Sequence, residues 1–565
     1  MSDQMRIGDF LLRRLGEVGT THVFGVPGDY NMSFLEQLGA HPGIEWVGTC
    51  NELNAAYAAD GYARSGKPGV LLTTYGVGCL SAINGVAGAY CEHVPLIHIS
   101  GAPPEHAVHD RVPLHHSLLD GGYRNVHRAF TEFTEYSATI SAANAVEVID
   151  HALRTAFRSR RPVRLELPSD LPHVEIAVPA GTLDISDQPP AAKQVEDAAA
   201  VVAAALGKSK RPLLLFDLPA VRWNALDAIE DFCAALDIPY ACTMPAVHHG
   251  DPGREQYLGM LPSGRADRQE IFDGADLLLT CALTRSDVTT GGFSLDLDAK
   301  PTVRLLPTST QLDTAVFYGT TIDQVLDKVR GMVADEFGGR DRWWSPAAAV
   351  PAPGAETAGA TPISEAHFFG RLQSFVRTGD VLIAETGTSG QNTVGMALPT
   401  GVRYINQSSW GSIGYALPAL LGALVSSPQR RHILCTGDGS LQVTVQELST
   451  VIRQGLTPVI FLLNNRGYTI ERSILGATSA YNDVANWSYT DLPRAFGIEE
   501  SALLARVCES TADLDAALDA AAEATSLAFI EVRLEPLDMT AATTVVGEAT
   551  RRFDYGVYAP TNDIS

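Results

Sequence analysis

Residues 432–471 read HILCTGDGSLQVTVQELSTVIRQGLTPVIFLLNNRGYTIE, and the reading of this stretch decides the fold. The apolar run His432–Thr436 predicts a buried strand, and Gly437-Asp438-Gly439 a tight turn. Leu441, Val445, Leu448 and Ile452 are spaced 4, 3 and 4 apart, which predicts one helix beginning after Ser440. Gly455 suits the left-handed position that ends such a helix. Pro458–Leu463 predicts a second buried strand, running into the turn Asn464-Asn465-Arg466-Gly467. Strand, helix and strand of these lengths make a βαβ unit, whose strands run parallel. Asp438 and Asn465 then lie at the carboxyl ends of neighbouring strands, the edge at which open parallel sheets bind ligands. A carboxylate and an amide oxygen suit a hard cation such as Mg²⁺, which takes its other ligands from phosphate and water. The start of the helix offers N–H groups to an anion. The stretch therefore reads as a metal–diphosphate anchor.

Outward from this stretch, the chain alternates apolar strands with helical patterns. A length of 565 residues allows three or four domains. Residues 1–180 predict an α/β block with strands at His22–Val26, Ile44–Gly48, Gly69–Thr73, Pro95–Ser100 and Val163–Leu167. A polar linker follows at 180–193, and a second block at 194–342 has strands at Pro212–Phe216, Tyr240–Thr243, Leu277–Cys281 and Thr302–Leu306. An Ala- and Pro-rich linker spans 345–362, and the third block, 363–540, holds the opening stretch. Residues 541–565 form a tail with no pattern of their own. The fold class is α/β, three doubly wound parallel-sheet domains.

Composition excludes several functions. The net charge is −24, which argues against nucleic-acid and anionic-membrane partners. The first residues show no signal-peptide pattern, and no apolar run reaches the length of a membrane span. The 8 cysteines form no CxxC pair and most sit in apolar segments, as expected of a reduced cytoplasmic protein without a thiolate metal site.

The first block carries further candidates. Asp29 lies on the turn after a strand, where it can be a turn former, a helix cap or a site residue. Glu52 opens the helical pattern ELNAAYAADGYAR, as a dipole-favoured carboxylate or a functional one. Its alanines allow close packing on a neighbour. Thr74-Tyr75-Gly76-Val77-Gly78 is another glycine turn at a strand end, and His115-His116 is an adjacent pair in a loop.

Ten segments in order, HVFGVPGDYN, NELNAAYAADGYAR, TTYGVG, EHVPLIHISGAP, LHHSLLDG, AETGTS, WGSIGYALPA, GDGSLQVTVQE, NNRGYTIE and YNDVANW, resemble the pyruvate decarboxylase and indolepyruvate decarboxylase family of thiamine diphosphate (ThDP) enzymes. The likeness covers almost the whole chain and is weakest in the middle block. It implies non-oxidative decarboxylation of a 2-keto acid to an aldehyde and CO₂, by way of a ThDP ylid and an enamine. It also implies pyrimidine-binding, central and diphosphate-binding domains, with sites at the interface of a homodimer or homotetramer. Asp438, Asn465 and the Gly467 carbonyl would hold Mg²⁺. Glu52 would hydrogen-bond the pyrimidine nitrogen, and Ile413 would wedge beneath the cofactor. Thr388 and Ser440 would bind the diphosphate, and Thr386 and Gly411 would lie near the pyrimidine. Val77, Gly437, Gly439, Tyr468, Thr469 and Ile470 would complete the cofactor contacts. Asp29, His115, His116 and Glu471 would ring the reacting carbon and move protons jointly.

Three departures bear on the substrate. Gly390 and Gln391 stand where relatives carry aromatic bulk, which predicts a roomier or more polar pocket. Cys79 replaces a common glutamate. The middle block lacks the regulatory cysteine of yeast-type enzymes. Two alternatives remain at this stage: a carboligase of the acetolactate synthase type, and a catalytically silent ThDP-binding subunit.

Overall fold

The computed structural model of the chain describes residues 3–186, 191–337, 340–346 and 361–562. Most of the 345–362 linker and residues 187–190 of the first linker lie outside the described residues. Three sheets organise the rest. The first runs, in spatial order, Glu45–Gly48, His22–Gly25, Gly69–Thr73, Leu96–Ala102, Val163–Pro168 and Tyr136–Thr139. Every pairing in it is parallel. The third runs Arg403–Ile405, Val381–Ala384, His432–Gly437, Val459–Asn464, Leu527–Arg533 and Leu503–Cys508, again all parallel. Numbered within its own domain, each sheet has the order 2-1-3-4-6-5. Their central strands are buried along their whole length, and mostly apolar, because helices cover both faces.

The central sheet departs from the all-parallel expectation. Tyr257–Met260, Tyr240–Cys242, Pro212–Phe216, Leu277–Cys281 and Thr302–Leu306 are parallel, but Ser309–Leu312 and Ala315–Tyr318 continue it antiparallel. These last strands have only 4 residues each, and the first of them is largely polar, which hid them from the sequence pattern. A further two-stranded antiparallel sheet pairs Asp3–Arg6 with Glu175–Val178.

The βαβ unit forms as expected, with Ile433 in register with Val459 on parallel strands. Its helix differs. It starts at Asp438, not after Ser440, and splits into Asp438–Thr444 and Glu447–Arg453. At the joint the N–H groups of Leu448 and Ser449 reach carbonyls three residues back, the tighter 3₁₀ spacing. The Thr444 hydroxyl meanwhile donates to Gly414 O at 2.7 Å. Gly455 ends the second helix with φ +65°.

The alanine-rich helix Glu52–Ala63 packs on Ala416–Ser426 of the third domain. One apolar core runs through this contact, joining Tyr57 and Ala58 to Leu420 and Leu434. A second core joins the central and third domains. The third domain thus packs against both others. The tail left without a pattern by the sequence forms the helix Ala541–Tyr555, packed on Thr469–Ile474. No described helix is long and apolar enough to cross a membrane.

Candidate functional site

In a sheet of order 2-1-3-4-6-5 the chain reverses direction between strands 1 and 3, and a crevice opens at their carboxyl ends. In the first domain those strands end at Gly25 and Thr73, so the loops holding Asp29 and Thr74–Gly78 flank the crevice. The loop holding His115 and His116 folds over them. Gly76 sits at φ +60°, and a Cβ there would lie 1.8 Å from His116 O, so only glycine lets the two loops touch. His115 Nε2 is 2.7 Å from Asp29 Oδ2, and His116 Nδ1 is 3.9 Å from Asp29 Oδ1. The His115 ring also stacks on Tyr30, centroids 5.2 Å apart. Asp29 and His115 are exposed and His116 is half-buried. Their ligand atoms all lie within 4.8 Å of one another.

Glu52 begins its helix, which Asn51 caps by accepting from Asn54 N at 2.8 Å. The Glu52 carboxylate lies over Gly78, with Oε1 3.1 Å from where a Cβ would stand. Val77, beside it, is 57% exposed.

In the third domain the equivalent crevice lies between Val381–Ala384 and His432–Gly437. Thr386 and Thr388 follow the first strand, Asp438 the second, and Asn465 the strand beside it. Asp438 is 1% exposed. Its two oxygens accept from Gly439 N at 2.7 Å and Gly467 N at 3.1 Å. Burial pushes this carboxyl up to about 6. Asn465 Oδ1 is buried with no hydrogen-bond partner. A desolvated carboxylate beside an orphaned amide oxygen is an arrangement a divalent cation would satisfy, and the donor set fits one. The Gly467 carbonyl, which already accepts from Thr469 N at 3.2 Å, keeps a second lone pair. Gly467 itself sits at φ +145°, and a Cβ would meet Asn482 O at 2.0 Å.

The anion contact expected of the helix N-terminus is narrower than the sequence implied. Asp438 itself takes the Gly439 N–H, and the helix has only 7 residues. Ser440 and Thr388, both buried, supply hydroxyls near that edge, and the Thr388 side chain also hydrogen-bonds the Glu365 carboxyl. Thr469 is also turned away, its hydroxyl donating to Pro536 O at 2.9 Å. Tyr468 and Ile470 are half-buried, the first against Gly439 and the second against Gly387. Gly437 is half-buried, while Gly411 and Ile413 are exposed on the loop after Trp410.

Two supporting residues escaped the sequence reading. Arg472, 3% exposed, donates to the carbonyls of Asn465 and Arg466 and pairs with Asp483 at 2.9 Å, so it fixes the turn that carries Asn465. Glu385 accepts from Thr386 N at 2.9 Å and Ala416 N at 3.2 Å, and so joins the Thr386–Thr388 loop to the start of the helix after Ile413. Burial pushes it up to about 7. The only signals for these two were their places within TIER and ETG, which look like scaffold. Gly390 corrects another expectation. A Cβ on it would stand 3.0 Å from both Asn406 Nδ2 and Glu385 O, so its smallness serves packing inside the domain and does not widen a pocket.

The chain thus collects the candidates into two groups. Asp29, His115, His116, Glu52 and Val77 gather on the first domain. Asp438, Asn465, Gly467, Ser440, Thr386 and Thr388 gather on the third. Glu471 is exposed on Thr469–Ile474, with the second group. No hydrogen bond or ion pair among the described residues joins one group to the other.

Comparison with known proteins places both groups, apart from Thr386, inside matched regions. Residues 5–126 match the model "Thiamine pyrophosphate enzyme, N-terminal TPP binding domain", 199–321 the central domain and 388–532 the C-terminal TPP binding domain. An "Alpha-keto-acid decarboxylase" of Mycobacterium leprae (strain TN) is 37% identical over 550 residues, covering 96% of this chain and 95% of the relative. Proteins of the same description from Mycobacterium ulcerans (strain Agy99) and Mycobacterium tuberculosis (strain ATCC 25618 / H37Rv) are each 38% identical, covering 94% of this chain and 94% or 95% of the relative.

Proposed function

Because this chain belongs to the thiamine pyrophosphate enzyme family, we infer that it is a ThDP-dependent, non-oxidative 2-keto acid decarboxylase that releases CO₂ and an aldehyde. The observation that carries the site assignment is the buried Asp438 carboxylate beside the orphaned Asn465 Oδ1, on adjacent parallel strands of a TPP binding domain. When bound, ThDP supplies the electron sink that loss of CO₂ from a 2-keto acid requires.

The chain's own residues do the rest. Asp438, Asn465 Oδ1 and the Gly467 carbonyl would hold Mg²⁺, and the Ser440 and Thr388 hydroxyls would donate to the diphosphate oxygens that complete its shell. Gly437, Gly439, Tyr468, Thr469 and Ile470 shape this end of the cleft, and Thr386 and Gly411 the pyrimidine end. Ile413, apolar and projecting, would support the cofactor from below. Glu52 Oε1 would hold a proton against the pyrimidine nitrogen. The Asp29–His115 pair, with His116 and Glu471, would deliver and remove protons at the reacting carbon.

Two chains would build each site. The lack, among the described residues, of a hydrogen bond or ion pair between the two groups supports this, as do the exposed apolar residues beside them: Val77 and Leu80 on the first domain, Ile413 and Val443 on the third. A homodimer or homotetramer follows. The domains are taken as 1–180, 194–342 and 363–540, with 541–565 as a C-terminal extension. Eight unpaired cysteines support a cytoplasmic location.

The test is incubation of the purified chain with ThDP, Mg²⁺ and a panel of pyruvate, phenylpyruvate, indolepyruvate and branched-chain 2-keto acids. Aldehyde and CO₂ in equal amounts are expected from at least one. Acetohydroxy acids as the main product would make the chain a carboligase. Bound ThDP without turnover of any panel member would make it a silent subunit.

A further inference from the structure

Among the described residues, Asp29, His115 and His116 are the one group of histidine, cysteine or carboxylate side chains placed to hold a metal ion, with all three ligand atoms within 4.8 Å of one another. Neighbouring side chains on an extended segment point to opposite sides, so an adjacent histidine pair does not ordinarily converge. Here His116 adopts φ +62°, and both imidazoles come to Asp29. Their ring centroids lie 4.6 Å apart at 74°. The loop is braced from two sides. Tyr30 stacks on the His115 ring and its hydroxyl donates to His115 O at 3.4 Å, while the His116 carbonyl packs against Gly76. His116 Nδ1 is buried with no hydrogen-bond partner, and it stands 3.9 Å from Asp29 Oδ1, beyond hydrogen-bond reach.

This donor set differs in kind from the anchor on the third domain. Asp438, Asn465 and Gly467 offer oxygen alone, which suits a hard cation such as Mg²⁺. Two imidazole nitrogens with one carboxylate suit a borderline transition-metal ion. They make the three-ligand set of an open zinc site, in which water takes the fourth position. The spacing fits as well. Zinc bonds of about 2.0–2.1 Å at tetrahedral angles hold ligand atoms roughly 3.4 Å apart. The 2.7 Å from His115 Nε2 to Asp29 Oδ2 and the 3.9 Å from His116 Nδ1 to Asp29 Oδ1 lie on either side of that value. A small turn of the Asp29 carboxylate evens them out.

We propose that Asp29, His115 and His116 bind a transition-metal ion of the Zn²⁺ class, and that the bound ion shuts off turnover. The ion would take one nitrogen lone pair of each imidazole and replace the proton between His115 Nε2 and Asp29 Oδ2. The group could then no longer move protons at the reacting carbon. The site stands on the geometry of the three side chains, while its effect on turnover rests on the proton roles proposed above.

The test uses holoenzyme saturated with ThDP and Mg²⁺, so that the oxygen anchor is already filled, with Co²⁺ as a coloured probe and Zn²⁺ as the inhibitor. One Co²⁺ per chain should give the intense visible absorption of a four-coordinate ion, which Zn²⁺ abolishes and excess Mg²⁺ leaves unchanged. Zn²⁺ should inhibit decarboxylation over the same concentrations at which it abolishes the colour. His116→Ala and Asp29→Ala should each weaken Co²⁺ binding by at least about a hundredfold, more than the loss of an outer partner of a metal ligand costs. Retention of ThDP on gel filtration verifies that they fold, and His115→Ala replaces either one that does not. His106→Gln, whose imidazole stands 3.9 Å from Asp170 and outside the group, should bind Co²⁺ as the wild type does. No four-coordinate spectrum, a spectrum that excess Mg²⁺ removes, or one that the alanine variants keep would overturn the site. Zn²⁺ bound there without loss of turnover would overturn the inhibition and the proton roles together. A chain that decarboxylates no 2-keto acid yet gives this spectrum, lost in His116→Ala, would end the decarboxylase reading and leave the site standing.

Discussion

Asp438→Asn should stabilise the cofactor-free protein while abolishing its capacity for ThDP, two effects of opposite sign from one carboxylate. Asp438 is 1% exposed, and burial raises its carboxyl from 3.8 to about 6. A rise of about two units corresponds to roughly 3 kcal/mol. The sign follows from proton uptake. The folded state binds the proton more tightly than the unfolded one, so between about pH 4 and pH 6 stability falls as pH rises, and the whole cost is present above that window. Asparagine removes the buried charge but leaves one acceptor oxygen for the N–H groups of Gly439 and Gly467, which returns about 1–2 kcal/mol of cost. The net expectation is a gain of about 1–2 kcal/mol at alkaline pH that shrinks to nothing or reverses near pH 4. Glu365 and Glu385, both pushed up to about 7 by burial, titrate alike in both proteins and cancel in the difference. Differential scanning calorimetry of both proteins without cofactor, across this pH range, measures the gain. Repeating it with ThDP and Mg²⁺ at a hundred times the dissociation constant should add about 2.7 kcal/mol to the wild type and nothing to the variant. A variant less stable than wild type at alkaline pH would refute the reasoning, as would a pH-independent difference or cofactor stabilisation equal to wild type.

Glu52→Gln should lower kcat by at least about a hundredfold with ThDP affinity little changed, read by steady-state kinetics and calorimetry; full activity would sink the proton role. Gly467→Ala places a methyl 2.0 Å from Asn482 O, so the turn must shift and Mg²⁺-dependent ThDP retention on gel filtration should be lost. Arg472→Met leaves the carbonyls of Asn465 and Arg466 without their buried donor, and should raise the Mg²⁺ requirement more than it lowers kcat at saturating metal. Mixing Glu52→Gln chains with Asp438→Asn chains, each inactive alone, should restore activity after subunit exchange. No restoration would place both groups of one site on a single chain.

The parts of the fold that were legible were those in which one physical requirement dominates. His432–Thr436 and Pro458–Leu463 are buried throughout and mostly apolar because helices cover both faces of their sheet, and their short length beside glycine turns marks them as strands. The helix between them misled because Leu441, Val445, Leu448 and Ile452 keep a continuous apolar face across the joint, while the break is fixed by a bond from Thr444 to Gly414, which lies 30 residues away in the sequence. The antiparallel strands Ser309–Leu312 and Ala315–Tyr318 have only 4 residues each; the first, STQL, is largely polar, and the second, AVFY, is apolar but too short to stand out. In the site, the chemistry of Asp438, Asn465 and the Asp29–His115–His116 group was visible as residue types at strand ends. Arg472 and Glu385 were not, because their work is to hold main-chain groups in place, and no residue type advertises that. Gly390 shows the reverse error: absence of bulk was read as open space, whereas the position is already filled by Asn406 and Glu385.

The first and third domains reach the same strand order and set opposite chemistry at the same crevice. In the third, the carboxylate and the amide oxygen are buried and aimed inward. Neither can meet a diphosphate directly, since carboxylate and phosphate repel and an amide oxygen offers no proton. The arrangement makes sense with a cation between them, so on this reading the anchor binds ThDP as its metal complex. In the first domain the imidazoles and Asp29 stand at an exposed mouth, where they can exchange protons with water but have nothing of their own to act on. ThDP has an anionic end and a base end, and under the proposed assignment it would use both crevices at once. Among the described residues of one chain no hydrogen bond or ion pair joins the two groups of candidates, and Val77, Leu80, Ile413 and Val443 stand uncovered beside them. A second chain that covered those residues would bring its own crevices opposite, the third domain of each facing the first domain of the other. Assembly would then be a condition of catalysis and not merely of stability, because the proton-moving groups and the cofactor anchor would meet only across the interface.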